Sequence, residues 1–111
     1  MISLYDLIEY ANGQLFGEPA AQLFTRFALA PHEAEPGTLF VAYRGDGRDS
    51  HQVIEDAIKH GASGVICSRP PTCSTQDVSV ILVKGTLAAL LLWAQKVLQR
   101  YGTRVIGIAG S

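Results

Sequence analysis

Leu4, Leu7, Ile8 and Ala11 recur at helical spacing behind Ser3, and Ser3-x-x-Asp6 resembles a capping box. Residues 4–11 are therefore predicted to form a short helix that Asn12-Gly13 stops. Two short extended pieces follow, around Gln14-Phe16 and Gln22-Phe27. After the Pro36-Gly37 turn, Thr38-Leu39-Phe40-Val41-Ala42 is an apolar run of strand length, the pattern of a buried strand. The polar loop Gly45-Asp46-Gly47-Arg48-Asp49-Ser50 ends in two residues suited to cap a helix. Val53, Ile54, Ala57 and Ile58 mark that helix as amphipathic, and Gly61 closes it. Strands are predicted over Ala62 to Cys67 and Val78 to Val83, on either side of the turn-rich Ser68-Arg69-Pro70-Pro71. Thr86 can cap a long helix to about Tyr101, with Leu87, Leu90, Leu91, Ala94 and Leu98 on one face and Gly102 as its stop. Leu92 and Trp93 make its first half apolar on several sides, as core or as a contact with another domain. Arg104 to Ala109 is an apolar strand that runs into Gly110-Ser111. Strand, helix and strand in this order predict an α/β fold, a small mixed or mostly parallel sheet with packed helices.

Composition fits one domain. Of 111 residues, 48% are hydrophobic and 17% charged, and a chain of this length buries roughly two-thirds of its unfolded surface. Nine Lys and Arg against ten Asp and Glu leave a net charge of −1, which argues against a nucleic-acid partner. The longest strongly apolar stretch, Leu87 to Ala94, is too short to span a membrane. The start has no basic leader and carries Asp6 and Glu9, so a cytoplasmic protein is expected, with Cys67 and Cys73 as reduced thiols. Neither the cysteines nor His32, His51 and His60 have the spacing of a metal site.

Candidate chemistry begins with the last residues. A strand entering a glycine-bearing turn is how phosphate-binding loops start, because glycine lets backbone N–H groups approach phosphate and the next helix offers its positive end. Gly110 and Ser111 stand where such a loop would open, and more chain is expected after them, since a domain rarely ends on a buried strand that runs into Gly-Ser. The Lys that would touch phosphate is not among these residues, so the motif itself is incomplete.

Pro36-Gly37-Thr38-Leu39-Phe40-Val41-Ala42, the loop Gly45 to His51, and Ile54-Glu55-Asp56-Ala57-Ile58 followed by Gly61-Ala62 together resemble the amino-terminal domain of the Mur ligases. The run Ala57 to Ala62 matches that family's Ala-x-x-x-Gly-Ala helix end. Thr86 to Leu90 and Val105 to Ser111 resemble the approach to the ATP domain in the branch that adds a D-alanyl-D-alanine dipeptide, with the single-amino-acid branches as siblings. The resemblance implies residues 1–103 as the domain that holds the UDP end of a UDP-muramoyl-peptide, and residues 104–111 as the start of a central domain that binds Mg-ATP. It implies the remaining domains of the same chain as partners and no cofactor on this part alone. The activity implied for the parent is ATP-dependent carboxylate–amine ligation in peptidoglycan precursor synthesis, with no catalytic residue before Ser111.

Carried over by position, Thr25 and Arg26 match the Ser/Thr-Arg part of the family's uridine-binding element. Gly45, Asp46, Gly47, Arg48, Asp49, Ser50 and His51 match the loop that lies along the nucleotide. Hydroxyl, backbone N–H and guanidinium groups are the donors that a uracil carbonyl or a diphosphate needs. Helix capping is the competing role for Asp49 and Ser50, and an ion pair for Arg26. Phe24 stands where the family has Asp, nine residues separate Arg26 from Pro36, and Ser50 replaces a Gly. These departures keep open the alternative of a non-catalytic binding or interaction domain on the same scaffold with a degenerate nucleotide pocket.

Overall fold

The computed structural model of the chain describes residues 1–45 and 47–101, with the backbone alone at Tyr101. Asp46, the strand expected over 104–109 and the start of a phosphate loop at Gly110 and Ser111 lie outside the described residues.

Strand β1 (Ile2–Ser3) leads into α1 (Leu4–Tyr10), where the Ser3 hydroxyl accepts the Asp6 N–H at 3.4 Å, as the capping pattern predicts. Asn12 takes the left-handed conformation that ends the helix (φ 56°). Then come β2 (Gln14–Phe16), β3 (Leu23–Phe24), β4 (Arg26–Ala28) and β5 (Thr38–Val41). The extended piece expected over 22–27 is thus two strands. The break falls at Thr25, whose N–H leaves the pairing to donate to the Gly37 carbonyl at 2.8 Å. Ile2 and Ser3 pair antiparallel with Phe24 and Leu23, while β4 joins the main sheet.

The expected polar loop after β5 is a small antiparallel hairpin of β6 (Arg44–Gly45) and β7 (Arg48–Asp49). Gly45 pairs with Arg48, and Gly47, just before Arg48, has φ 74°. Asp-Gly is a strong two-residue hairpin signal, and it outweighs the general polarity from which a plain loop was inferred. A 3-10 turn (Ser50–Val53) then continues into α2 (Ile54–Lys59). Asp49 caps that turn as expected, accepting the His51 N–H at 3.0 Å. Ser50 does not cap; its hydroxyl accepts the Tyr43 N–H at 2.8 Å and donates to the Tyr43 carbonyl at 3.0 Å.

Next are β8 (Gly64–Cys67), β9 (Ser79–Leu82) and α3 (Thr86–Tyr101). The main sheet has five strands in the order β2-β9-β8-β5-β4, parallel except for β2. Side chains alternate across it. Leu39, Val41, Ile66 and Ile81 face α1 and α3, while Phe40, Val65, Cys67 and Val80 face α2. The result is three layers, with the sheet buried on both faces.

Helix α3 has the expected length but not the expected face. Thr86 does not cap it; the Gly85 carbonyl accepts the Ala89 N–H at 2.9 Å, and the buried Thr86 hydroxyl donates to the Ala42 carbonyl at 2.7 Å. Thr86 and Ala89 are buried, with Leu90 and Trp93 packed alongside the core, whereas Leu87 and Leu91 are exposed. Trp93 is half-buried and meets the half-buried Phe27 edge to face at 5.5 Å between ring centres, both packed against the core. Among the described residues, no helix is long and apolar enough to cross a membrane.

Candidate functional site

Four parallel strands, β4, β5, β8 and β9, end on one side of the sheet, and open α/β sheets present their ligand crevices outside such carboxyl ends. The segments that follow these strands meet there. They are Leu29 to Pro31 after β4, Tyr43 to His51 after β5, Ser68 and Arg69 after β8, and Lys84 to Thr86 after β9.

A hydrogen-bonded strut joins two of them. Ser68 donates its N–H to His51 Nε2 at 2.9 Å, so this nitrogen is the acceptor and the ring proton sits on Nδ1, which faces Asp49 Oδ1 at 2.7 Å. The other carboxylate oxygen takes the Arg69 guanidinium at 2.7 Å. Burial alone would push the Asp49 carboxyl up. Hydrogen bonds from Arg69 and from the backbone and ring of His51, with the Arg69 charge, outweigh it and lower the pKa to about 2. The His51 side chain is 2% exposed, so His51 works from inside the fold. Behind the strut, burial pushes the Cys67 thiol up to about 11.

In front of the strut, a cleft of about 470 Å³ opens between the ends of β4 and β5. Leu29, Pro31, Tyr43 and Val53 supply its apolar surface, and Arg48 and Gln52 its polar one. A second cleft, of about 300 Å³, lies between Tyr43, Arg44, Ser68 and the Lys84 to Ala88 segment. Arg44, Arg48 and Lys84 are exposed and make no ion pair among the described residues. With Arg69, they make this edge of the sheet basic. Its chemistry suits an anion with a flat, partly apolar body.

The structure brings Gly45, Gly47, Arg48, Asp49, Ser50 and His51 together here, with Asp49, Ser50 and His51 engaged by neighbours within the fold. It does not bring Thr25 and Arg26 to the same place. Arg26 pairs in register with Thr38, at the start of β5, whereas the hairpin follows the end of β5. Four residues of strand, roughly 13 Å at 3.3 Å per residue, separate the two levels. Thr25 donates its hydroxyl to the Gly37 carbonyl at 3.2 Å, and Arg26 makes an exposed ion pair with Glu35, also at 3.2 Å. Phe24 is fully buried against Gly64 and Leu39, under the sheet. Sequence reasoning missed Arg69, Lys84, Tyr43 and Leu29. The available signal was position: each directly follows a strand or lies within two residues of its end.

No family model matches the chain. It is 39% identical over 84 residues to the UDP-N-acetylmuramoyl-tripeptide--D-alanyl-D-alanine ligase of Bacillus subtilis, covering 76% of this chain and 18% of the relative. The enzyme of that name from Escherichia coli is 31% identical over 110 residues, covering 99% of this chain and 23% of the relative. Among solved structures, MurF from Acinetobacter baumannii superposes with a TM-score of 0.78 at 20% identity, covering 90% of this chain and 21% of that one, a likeness of fold. The MurF ligase of Thermotoga maritima in complex with ADP gives 0.59 at 31% identity, covering 68% and 17%. The chain thus spans about a fifth of the length of the relatives it matches, and over that span it belongs to the Mur ligase family.

Proposed function

We propose that this chain holds the UDP part of a UDP-muramoyl-peptide for a Mur-type amide ligase of peptidoglycan precursor synthesis. The carrying observation is the basic, cleft-bearing edge at the carboxyl ends of β4, β5, β8 and β9. Its apolar walls suit a pyrimidine ring, and Arg44, Arg48, Arg69 and Lys84 suit a diphosphate. In this reading Gly45, Asp46, Gly47 and Arg48 lie along the nucleotide, and Asp49, Ser50 and His51 hold the frame behind it. Thr25 and Arg26, a strand length away, stay outside that contact. The alternative of a degenerate pocket drew on Phe24, and Phe24 fills the core away from the cleft.

The parent ligase joins a carboxylate to an amine. ATP phosphorylates the carboxylate and the amine displaces phosphate, with Mg and basic groups stabilising the transferring phosphoryl group. Among the described residues, no group of three or more His, Cys, Asp or Glu is placed to hold a metal ion, and the phosphate-loop candidates Gly110 and Ser111 lie outside them. As the family resemblance implies, this reading leaves ATP and Mg to the remaining domains of the parent and gives this chain the substrate-holding part. The reading includes the cytoplasmic location expected from the sequence.

Titration with UDP, followed by backbone amide shifts, tests this. Shifts are expected at residues 43–53 and 68–69. No shift at millimolar UDP, or shifts confined to Thr25, Arg26 and their neighbours, would remove the reading.

A further inference from the structure

We propose that Asp49 and His51 are positioning residues that hold the Arg69 guanidinium in place for an anionic oxygen of the UDP diphosphate, an inference that rests on the nucleotide reading above. The two halves of the strut come from different strands. Asp49 ends β7 and His51 follows it ahead of α2, while Ser68 and Arg69 directly follow β8. His51 Nε2 accepts the Ser68 N–H at 2.9 Å, with the Ser68 hydroxyl at 3.1 Å, so the ring anchors the turn one residue before Arg69. On its other side the ring faces Asp49 Oδ1 at 2.7 Å, and the same oxygen accepts the His51 N–H at 3.0 Å. That leaves Oδ2 for Arg69 Nη2, also at 2.7 Å.

Exposure rises along this chain of bonds. The side chains of His51, Asp49 and Arg69 are 2%, 18% and 50% exposed. An isolated surface ion pair contributes little, because both long side chains must be ordered for it. Here the carboxylate is already fixed by two N–H groups, and Pro70 restricts the backbone of Arg69. The contact engages Nη2, one corner of a group with five N–H donors, and half of the side chain faces solvent. A guanidinium held at one corner and open at the others is pre-organised to take an oxyanion. Arg44, Arg48 and Lys84 raise the positive potential along the same edge.

The test is calorimetric titration of the chain with UDP and, separately, uridine. The proteins are the unaltered chain, Arg69→Ala, Asp49→Asn and the double variant. Arg69→Ala should weaken UDP about tenfold or more and leave uridine unchanged, since a charge-assisted hydrogen bond to the diphosphate is lost. Asp49→Asn should cost UDP a similar factor, but nothing further once Arg69 is Ala. A merely structural Asp49 would cost the same factor in both backgrounds, and that additivity would overturn the inference while leaving the nucleotide reading intact. So would UDP binding by Arg69→Ala at unaltered affinity. No binding of UDP by the unaltered chain at millimolar concentration overturns the nucleotide reading, and this inference with it. Guanidinium rotation at Arg69, measured by NMR without ligand, gives a second readout on the same folded samples. It should be slow in the unaltered chain and faster in Asp49→Asn, and equal rates would overturn the orienting role.

Discussion

Replacing Gly64 by Ala should destabilise the sheet through one identifiable collision. A Cβ on Gly64 would lie 2.5 and 2.6 Å from Cε1 and Cζ of Phe24, and 3.1 Å from Leu39 Cδ1. Carbon atoms rest about 3.5–4.0 Å apart, so the Phe24 ring must retreat by about 1 Å. Phe24 and Leu39 are both fully buried in a close-packed core, and space for that retreat must come from displaced neighbours. Overpacking of this kind costs about 1–3 kcal/mol, or roughly 4–20 °C of melting temperature in a domain of this size.

Phe24→Leu removes three buried carbons, a loss of about 2 kcal/mol or more at ~0.8 kcal/mol per buried carbon, before any cavity term. In the double variant the new methyl occupies the space that the ring leaves. Its cost should therefore fall short of the sum of the singles by about 1–2 kcal/mol, inside the range for residues in contact. Urea unfolding at pH 7 of the four proteins, with equal m-values, measures this coupling. Additivity within about 0.5 kcal/mol would show that the ring and Gly64 do not share the space, and the packing argument would be wrong. The same geometry decides what an acid at position 24 would do. Phe24→Asp should unfold the chain instead of restoring a ligand contact, because the carboxylate would be buried under the sheet without a partner.

Asp49 has a folded-state pKa near 2 against an ordinary 3.8, so its ionised form stabilises the fold above pH 4 and that contribution disappears as pH falls towards 2. The stability gap between the chain and Asp49→Asn in urea unfolding should follow this course, and a gap unchanged down to pH 2 would contradict it. Cys67, fully buried with its thiol near 11, should resist iodoacetamide at pH 8 while Cys73 is alkylated, as read by mass spectrometry of the folded protein. Arg26→Ala should change stability by less than about 1 kcal/mol, because its pair with Glu35 is exposed at both ends. By contrast, Ser79→Ala should cost about 1–3 kcal/mol in the same unfolding assay, since the buried Ser79 hydroxyl accepts the Ala20 N–H at 2.8 Å and donates to the Ala21 carbonyl at 2.6 Å.

Most elements were legible because their signals are local. Ser3 with Asp6 marks where α1 begins, Asn12 where it ends, the unbroken apolar run around Leu39 reads as a buried strand, and those around Val65 and Val80 read as strands. The errors share a cause of another kind. Thr86 and Ser50 have the chemistry of caps, yet their hydroxyls bond to Ala42 and Tyr43, across the fold in one case and back along the hairpin in the other. A hydroxyl takes whichever partner the tertiary structure brings near, and capping propensity only ranks the local options. The face of α3 was misjudged for a similar reason. Leu87 and Leu91 fit an apolar stripe as well as Ala89 and Trp93 do, and only the sheet beneath selects between them.

The candidate site shows where reading from sequence stops, because membership in it turns on the direction of one pair of strands. Thr25 and Arg26 stand at the head of β4, and the hairpin of Arg44 to Asp49 follows the tail of β5. In a parallel pair, heads lie beside heads, and Arg26 is level with Thr38. An antiparallel pairing of the same two strands would have put Arg26 against the residues that follow Val41, beside the hairpin. Hydrophobic period reports that a segment is a strand and how deeply it is buried, but carries nothing about its direction relative to a neighbour. Once the direction is known, the same rule that removes Arg26 from the edge brings Arg69 and Lys84 to it, since both sit just past the ends of parallel strands. These two cations come from segments that read as an ordinary turn and a helix approach, and the topology makes them neighbours of Arg44 and Arg48.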